Sequence, residues 1–226
     1  MINIVCVRVG TKYSIDYVTN LQRMVAKHLP LEHRFICLTD QPERAPGVYC
    51  LDVSAWTRYG LTGWWAKMLV FAYQEDGHPG GHPTLYFDLD TVIIGDLTPL
   101  ATLPTEFSIC RNFTQLAGHT TWPCRYGSCV MWLPRLFRAD IWDRFCADLH
   151  GWMARCPKGD QQAIEQIYPT AAYLQDILPE GYLVGRRDFS AAPPPGAAVM
   201  IFAGREKPHN TQWTWLKQAW TGTDGQ

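Results

Sequence analysis

The sequence predicts an α/β protein, a mostly parallel sheet flanked by helices. Three observations predict it. Residues 2–7 and 34–38 are short, nearly all-apolar runs without polar alternation, the pattern of strands buried on both faces of a parallel sheet. Between them Ile15, Val18, Leu21, Val25 and Leu29 recur at helical spacing, which makes a right-handed strand–helix–strand unit. The strand ends then turn polar, at Arg8 to Tyr13, Thr39-Asp40 and Asp88 to Asp90. Ligands of such sheets bind outside the carboxyl ends of the strands, so Tyr13, Asp40, Asp88 and Asp90 are expected on the rim of one pocket.

In chain order, the first strand covers residues 2–7 and ends in the turn Gly10-Thr11-Lys12-Tyr13. Ser14 is placed to cap the first helix, and Pro30 stops it. A second strand follows over 34–38, then a loop over 41–58 with an extended piece at 48–53. Residues 63–73 read as one helix with Trp64, Met68, Phe71 and Ala72 on its apolar face and Lys67 near its middle, either as a snorkelling surface residue or as a phosphate partner. Gly and Pro make 76–83 a hairpin-like loop containing His78 and His82. Strands are expected over 107–111 and 128–133, and one amphipathic helix over 139–155. Gly159-Asp160 opens a further helix over 161–168, with Asp160 as a candidate N-cap. The run 193–196 is a proline-rich surface linker and 198–202 a last strand. Trp213, Leu216 and Trp220 give the tail a helical face for packing on the core.

Composition narrows the field. The chain has 226 residues, enough to bury a sizeable core, and 47% hydrophobic residues, so it is globular rather than disordered. Twenty basic against 21 acidic residues leave a net charge of −1, which gives no global field for nucleic acid or anionic membrane. No apolar run approaches the ~20 residues of a membrane span. Met-Ile-Asn-Ile-Val-Cys-Val lacks the basic and long apolar regions of a signal peptide, so the expected location is cytoplasmic. Eight scattered cysteines without C-x-x-C suit reduced, buried thiols.

The chemistry concentrates in Thr84-Leu85-Tyr86-Phe87-Asp88-Leu89-Asp90-Thr91. Strand alternation would put Asp88 and Asp90 on the same side. Adjacent carboxylates repel unless a cation lies between them, and oxygen-only ligands suit Mg²⁺ or Mn²⁺. Such an ion leaves positions open for phosphate oxygens, which points to a metal–diphosphate site. A bare polar turn would also use Asp here.

Four stretches, in order, carry a family resemblance: Leu85-Tyr86-Phe87-Asp88-Leu89-Asp90-Thr91-Val92, Tyr126-Gly127-Ser128-Cys129-Val130-Met131, Gly159-Asp160-Gln161-Gln162 and Phe202-Ala203-Gly204-Arg205-Glu206-Lys207-Pro208. Each alone is weak; in this order the chain resembles the glycogenin and bacterial lipopolysaccharide galactosyltransferase family, with the GT-A (Rossmann-like) fold of nucleotide-diphospho-sugar transferases. The resemblance spans residues 2 to about 210, the expected transferase domain, with 211–226 as a helical tail packed on it. It implies a metal-dependent, retaining glycosyltransferase using a nucleoside-diphosphate sugar, with UDP as the expected nucleotide. Asp88 would contact the donor ribose and the metal's water, and Asp90 would ligate Mn²⁺ or Mg²⁺. Lys67 and Lys207 would hold the donor, Lys207 at the diphosphate. Asp160 and Gln161 would face the transferred sugar, as catalytic-site residues, and Tyr13 would lie near the base.

The sequence also departs from that pattern. Where the family has a metal-binding His three residues before the closing glycine, this chain has Ile201, and His209 is the nearby candidate for a third ligand. Gly127 and Cys129 replace the family's Asn and Gly, which leaves the acceptor open: a glycan, a lipid-linked sugar, a protein or a modified nucleic-acid base. Arg186, Arg187, Arg205, Lys207 and His209 could form a basic rim for an anionic acceptor. Two rival readings stand beside the transferase: a sugar-nucleotide-binding module without turnover, and a related nucleotidyltransferase or metal phosphohydrolase.

Overall fold

A computed structural model describes residues 1–75, 81–103, 106–116, 118, 123–135, 137 and 141–223. The expected loop at 76–83 therefore falls mostly outside the described residues, His78 included, as does the expected start of a helix at 139.

The chain opens with β1 (Ile2–Arg8), α1 (Ile15–His28), β2 (His33–Thr39) and β3 (Tyr49–Asp52). These are the predicted strand–helix–strand unit and its extended piece. Then come α2 (Ser54–Thr57), a 3-10 helix (Gly63–Met68), α3 (Leu69–Glu75), β4 (Thr84–Phe87), β5 (Thr91–Ile93), α4 (Thr98–Ala101), β6 (Ser108–Arg111) and α5 (Phe113–Leu116). The second half carries β7 (Tyr126–Leu133), α6 (Ile141–Ala147), α7 (Leu149–Arg155), α8 (Asp160–Ile167), β8 (Ala172–Tyr173), α9 (Leu174–Ile177), β9 (Leu183–Gly185), β10 (Val199–Ile201) and α10 (Thr214–Thr221).

Among the described residues seven strands form one sheet in the order β3-β2-β1-β4-β7-β6-β8. β3, β2, β1 and β4 are parallel neighbours; β7 runs antiparallel between β4 and β6. A second sheet, β5-β10-β9, packs with α1 and α10. Of its strands the sequence announced only β10, in the run 198–202, because all three are three residues long, shorter than any periodicity can resolve.

Alternation along the central strands divides the core in two. Ile4, Cys6, Leu85 and Phe87 pack with α1, the small sheet and α10. Val5, Tyr86 and Met131 point the other way, toward the 3-10 helix, α3, α6 and α8. Both faces of the sheet are thus covered, which is why these strands read as continuous apolar runs.

Local corrections follow from the same packing. The helix expected over 63–73 is a 3-10 turn leading into α3. The helix expected over 139–155 breaks at Asp148, whose side chain accepts from the Gly151 N–H and starts α7. Ser14 stands at the N-cap of α1 without a side-chain cap bond; its hydroxyl donates to Asp16 instead, at 3.2 Å. The N-cap of α8 is Gly159, not Asp160, with φ +83° and ψ −155°, a backbone region that glycine alone enters easily. All eight cysteines are free, and Cys6, Cys37, Cys110, Cys124 and Cys156 are buried. No helix among the described residues is long and apolar enough to cross a membrane.

Candidate functional site

A cavity of about 660 Å³ opens at the carboxyl ends of β1 and β4. Its polar lining is Lys12, Tyr13, Thr62, Lys67, Asp88, Asp90 and Lys207, with Trp64, Trp65 and Phe202 as aromatic walls. Residues from five separate segments meet here because parallel strands all deliver their following loops to one edge.

β4 ends at Phe87, so Asp88, Leu89 and Asp90 lie in a turn closed by the Thr91 N–H on the Asp88 carbonyl, at 3.1 Å. The expected strand alternation therefore stops short of the pair, and the two carboxylates take different partners. Asp88 stays in phase with Tyr86, whose hydroxyl donates to it at 2.7 Å. Lys67 Nζ lies 2.9 Å from the same carboxylate and donates to Ser128 Oγ at 3.2 Å. Asp90, only 6% exposed, turns toward the other core. Its Oδ2 accepts from the Tyr13 hydroxyl at 2.8 Å and from Lys207 Nζ at 2.5 Å.

Burial is the largest influence on Asp88 and raises its pKa above the usual carboxyl value; Lys67 opposes the shift and Asp90 reinforces it. For Lys67 burial pulls the other way, but Asp160 and Asp88 outweigh it, so its pKa lies above the ordinary lysine value and the ammonium stays charged. Tyr13 is held neutral by burial and by Asp90. Lys67 is thus a buried charge at the cavity floor, its side chain 18% exposed, rather than a snorkelling surface residue.

Asp160 stands behind Lys67, 2% exposed. Its Oδ2 is 4.0 Å from Lys67 Nζ and has no hydrogen-bond partner. A buried oxygen in that state costs about 1–3 kcal/mol, and a ligand hydroxyl would relieve it. Gln161 is half-buried in the first turn of α8, outside the cavity lining. Trp64, 55% exposed, lies against Gly159: a Cβ there would sit 2.7 Å from the indole. This contact ties the cavity mouth to the start of α8.

Asp40 is not in the lining. It accepts from the Gly10 N–H at 2.9 Å and fixes the turn after β1. His209 shares a hydrogen bond with the Tyr17 hydroxyl through Nδ1. Arg186 pairs with Glu206, and Arg186 and Arg187 line a separate cavity of about 400 Å³ with Phe113, Gln175 and Gly204. Of the expected basic rim, Arg186 and Arg187 line this second cavity and Lys207 the first, while Arg205 and His209 line neither. Tyr86 and Ser128 were not foreseen as site residues. The signal for Tyr86 was its place two residues before Asp88, on the same face.

The fold family implies a divalent ion at the acidic pair, and the donor set here does not fit a resident one. Among the described residues no three His, Cys, Asp or Glu side chains gather into a ligand group. Ile201, buried on β10, pairs in register with Thr91 beside Asp90 and offers no lone pair. His209, the expected third ligand, lies outside the cavity lining, and its Nδ1 is hydrogen-bonded to the Tyr17 hydroxyl.

No protein-family model and no curated protein matches the sequence. Solved structures do match the fold. An active-site mutant of LgtC superposes with a TM-score of 0.71 at 14% identity, covering 99% of this chain and 97% of that one. The galactosyltransferase LgtC in complex with donor and acceptor sugar analogs gives 0.67 at 15% identity, with 99% and 97% covered. The glycosyltransferase GlyE of Streptococcus pneumoniae TIGR4 gives 0.63 at 13% identity, over 96% of this chain and 59% of that one. The chain carries the GT-A fold of these glycosyltransferases.

Proposed function

We propose that the protein transfers a sugar from a nucleoside-diphosphate sugar, with UDP as the nucleotide and retention at the anomeric carbon. One observation carries the reading: two lysines, Lys67 and Lys207, approach the Asp88-Leu89-Asp90 turn from opposite sides at the floor of one cavity. In this fold that edge of the sheet is where a nucleotide ligand sits. Departure of a nucleoside diphosphate builds negative charge, and preorganised ammonium groups in a partly buried site stabilise it. Lys207 takes the diphosphate, and Lys67 supports the charge from the floor. The Asp160 oxygen that lacks a hydrogen bond accepts a hydroxyl of the transferred sugar, and Gln161, in the same helical turn, reaches its far side when the sugar is bound. Tyr13, fixed on Asp90, walls the nucleotide side.

The acceptor is a hydroxyl-bearing molecule of open class: a glycan, a lipid-linked sugar, a protein or a modified base. The test is a panel of nucleoside-diphosphate sugars, followed by thermal shift and by release of free nucleotide, with and without added Mn²⁺. The expected result is stabilisation by one donor with slow hydrolysis, lost in Asp160→Asn. Nucleotide or phosphate release from simple nucleoside triphosphates alone would replace this reading with a nucleotidyltransferase or phosphohydrolase. Stabilisation by a donor that is never turned over, even with acceptor pools added, would make the protein a binding module.

A further inference from the structure

We infer that this protein binds its donor diphosphate on its own ammonium groups, with no divalent ion required. The inference rests on the donor reading above and adds what carries the charge.

Each carboxylate of the acidic turn already has an internal cation and a phenol donor. Lys67 and Tyr86 serve Asp88; Lys207 and Tyr13 serve Asp90, both on the single oxygen Oδ2. A metal ion held by both Asp90 oxygens would have to displace Lys207 from Oδ2. It would then lack a third protein ligand. The strand that crosses beside Asp90 is β10, and its residue there is Ile201, in register with Thr91 and buried in the apolar core. Phe202 follows it as a cavity wall, and Ala203 has no donor side chain. His209 lies outside the cavity lining, with its Nδ1 hydrogen-bonded to the Tyr17 hydroxyl.

The cavity also has cations of its own. Its lining holds three ammonium groups, Lys12, Lys67 and Lys207, beside the carboxylates Asp88 and Asp90, and Asp160 stands 4.0 Å from Lys67. Lys12 stands at the mouth, its Nζ 4.9 Å from the centre of the Tyr13 ring. In the free protein the carboxylates hold two of these lysines in position. When a diphosphate arrives its oxygens compete for the same donors, and charge-assisted bonds to phosphate are among the stronger ones available. The acidic turn therefore acts here as a counter-ion cradle for lysines, and the aliphatic residue at 201 is part of that exchange of one cation for another.

The decisive experiment is calorimetric titration of the full chain, freed of metal with EDTA, with UDP and UDP-sugars, first in EDTA and then in Mn²⁺. The expected dissociation constants in the two conditions agree within about threefold, and Lys207→Ala weakens both by about tenfold or more. Ile201→His, which offers an imidazole beside Asp90, is expected to make binding tighten about tenfold with Mn²⁺. Binding by the natural protein that appears only with Mn²⁺ overturns this inference and leaves the donor reading intact. Absence of binding in both conditions, in a chain shown folded by circular dichroism, overturns the donor reading and the inference with it.

Discussion

Asp88 shows how burial sets an ionised carboxylate against stability. Its raised pKa means that, above the ordinary carboxyl value, the folded protein holds a proton the unfolded chain has released. Its contribution to stability is therefore complete at low pH and is lost as pH rises through the raised value. Ionising Asp88 is a net cost that Lys67 only partly offsets. Asp88→Asn is expected to melt no lower than the natural protein near neutral pH. A thermal midpoint clearly below that of the natural protein would show that the Lys67 pair outweighs burial. At this scale the sequence was informative for charge-bearing residues: Asp88, Asp90, Lys67 and Lys207 do share one cavity. It was silent on their pairing, because which lysine meets which carboxylate depends on where a strand stops, and β4 stops at Phe87.

At the scale of elements, the departures from the family pattern acquire physical reasons. Gly127 lies on β7 where the pairing with β6 shifts: Ile109 faces Met131 but Cys110 faces Gly127, so residues 128–130 bulge from β7. A Cβ at 127 would stand 3.1 Å from the Arg111 carbonyl oxygen and 3.3 Å from the Asn112 Cα. Both are backbone atoms and cannot swing aside. Gly127→Asn, which puts back the residue that the resemblance leads one to expect, should destabilise by about 1–3 kcal/mol. Urea denaturation reads this directly, and an unchanged midpoint would mean that the bulge is softer than it looks. The same bulge moves Ser128 to Lys67 and places Cys129 at the edge of the apolar core. The helix over 141–155 carries a similar lesson. Its apolar spacing is continuous, yet Asp148 prefers to accept from the Gly151 N–H and starts a second helix. Local side-chain competition with the backbone ladder is invisible to hydrophobic periodicity.

At the scale of the molecule, the tail is joined to the site through a relay of rings. Trp220 of α10 packs on Tyr17, with ring centres 5.0 Å apart, and Tyr17 on Tyr13, at 4.7 Å. Tyr13 in turn donates to Asp90. Leu216, fully buried, anchors α10 on the core shared by α1 and the small sheet. Leu216→Ala is expected to lower stability by about 2–5 kcal/mol, read by denaturant titration, while turnover at saturating donor persists below the unfolding midpoint. A loss of turnover in the still-folded variant would show instead that the tail sets the geometry of Asp90.

The sequence by itself determined the α/β class, the first strand–helix–strand unit, the edge of the sheet that carries the site, and most of the charged residues on it. These are written in runs long enough for burial periodicity and in residue types that have few other uses at strand ends. Only the tertiary structure decided the small sheet, the different partners of Asp88 and Asp90, the placing of Asp40 on Gly10 and His209 on Tyr17, and the burial of an Asp160 oxygen without a hydrogen bond. Those outcomes depend on contacts between residues tens to nearly two hundred positions apart, such as Lys207 on Asp90 and Tyr17 on His209. Pairings at that separation are settled when the strands and loops close on one another, and no local pattern in the chain records them.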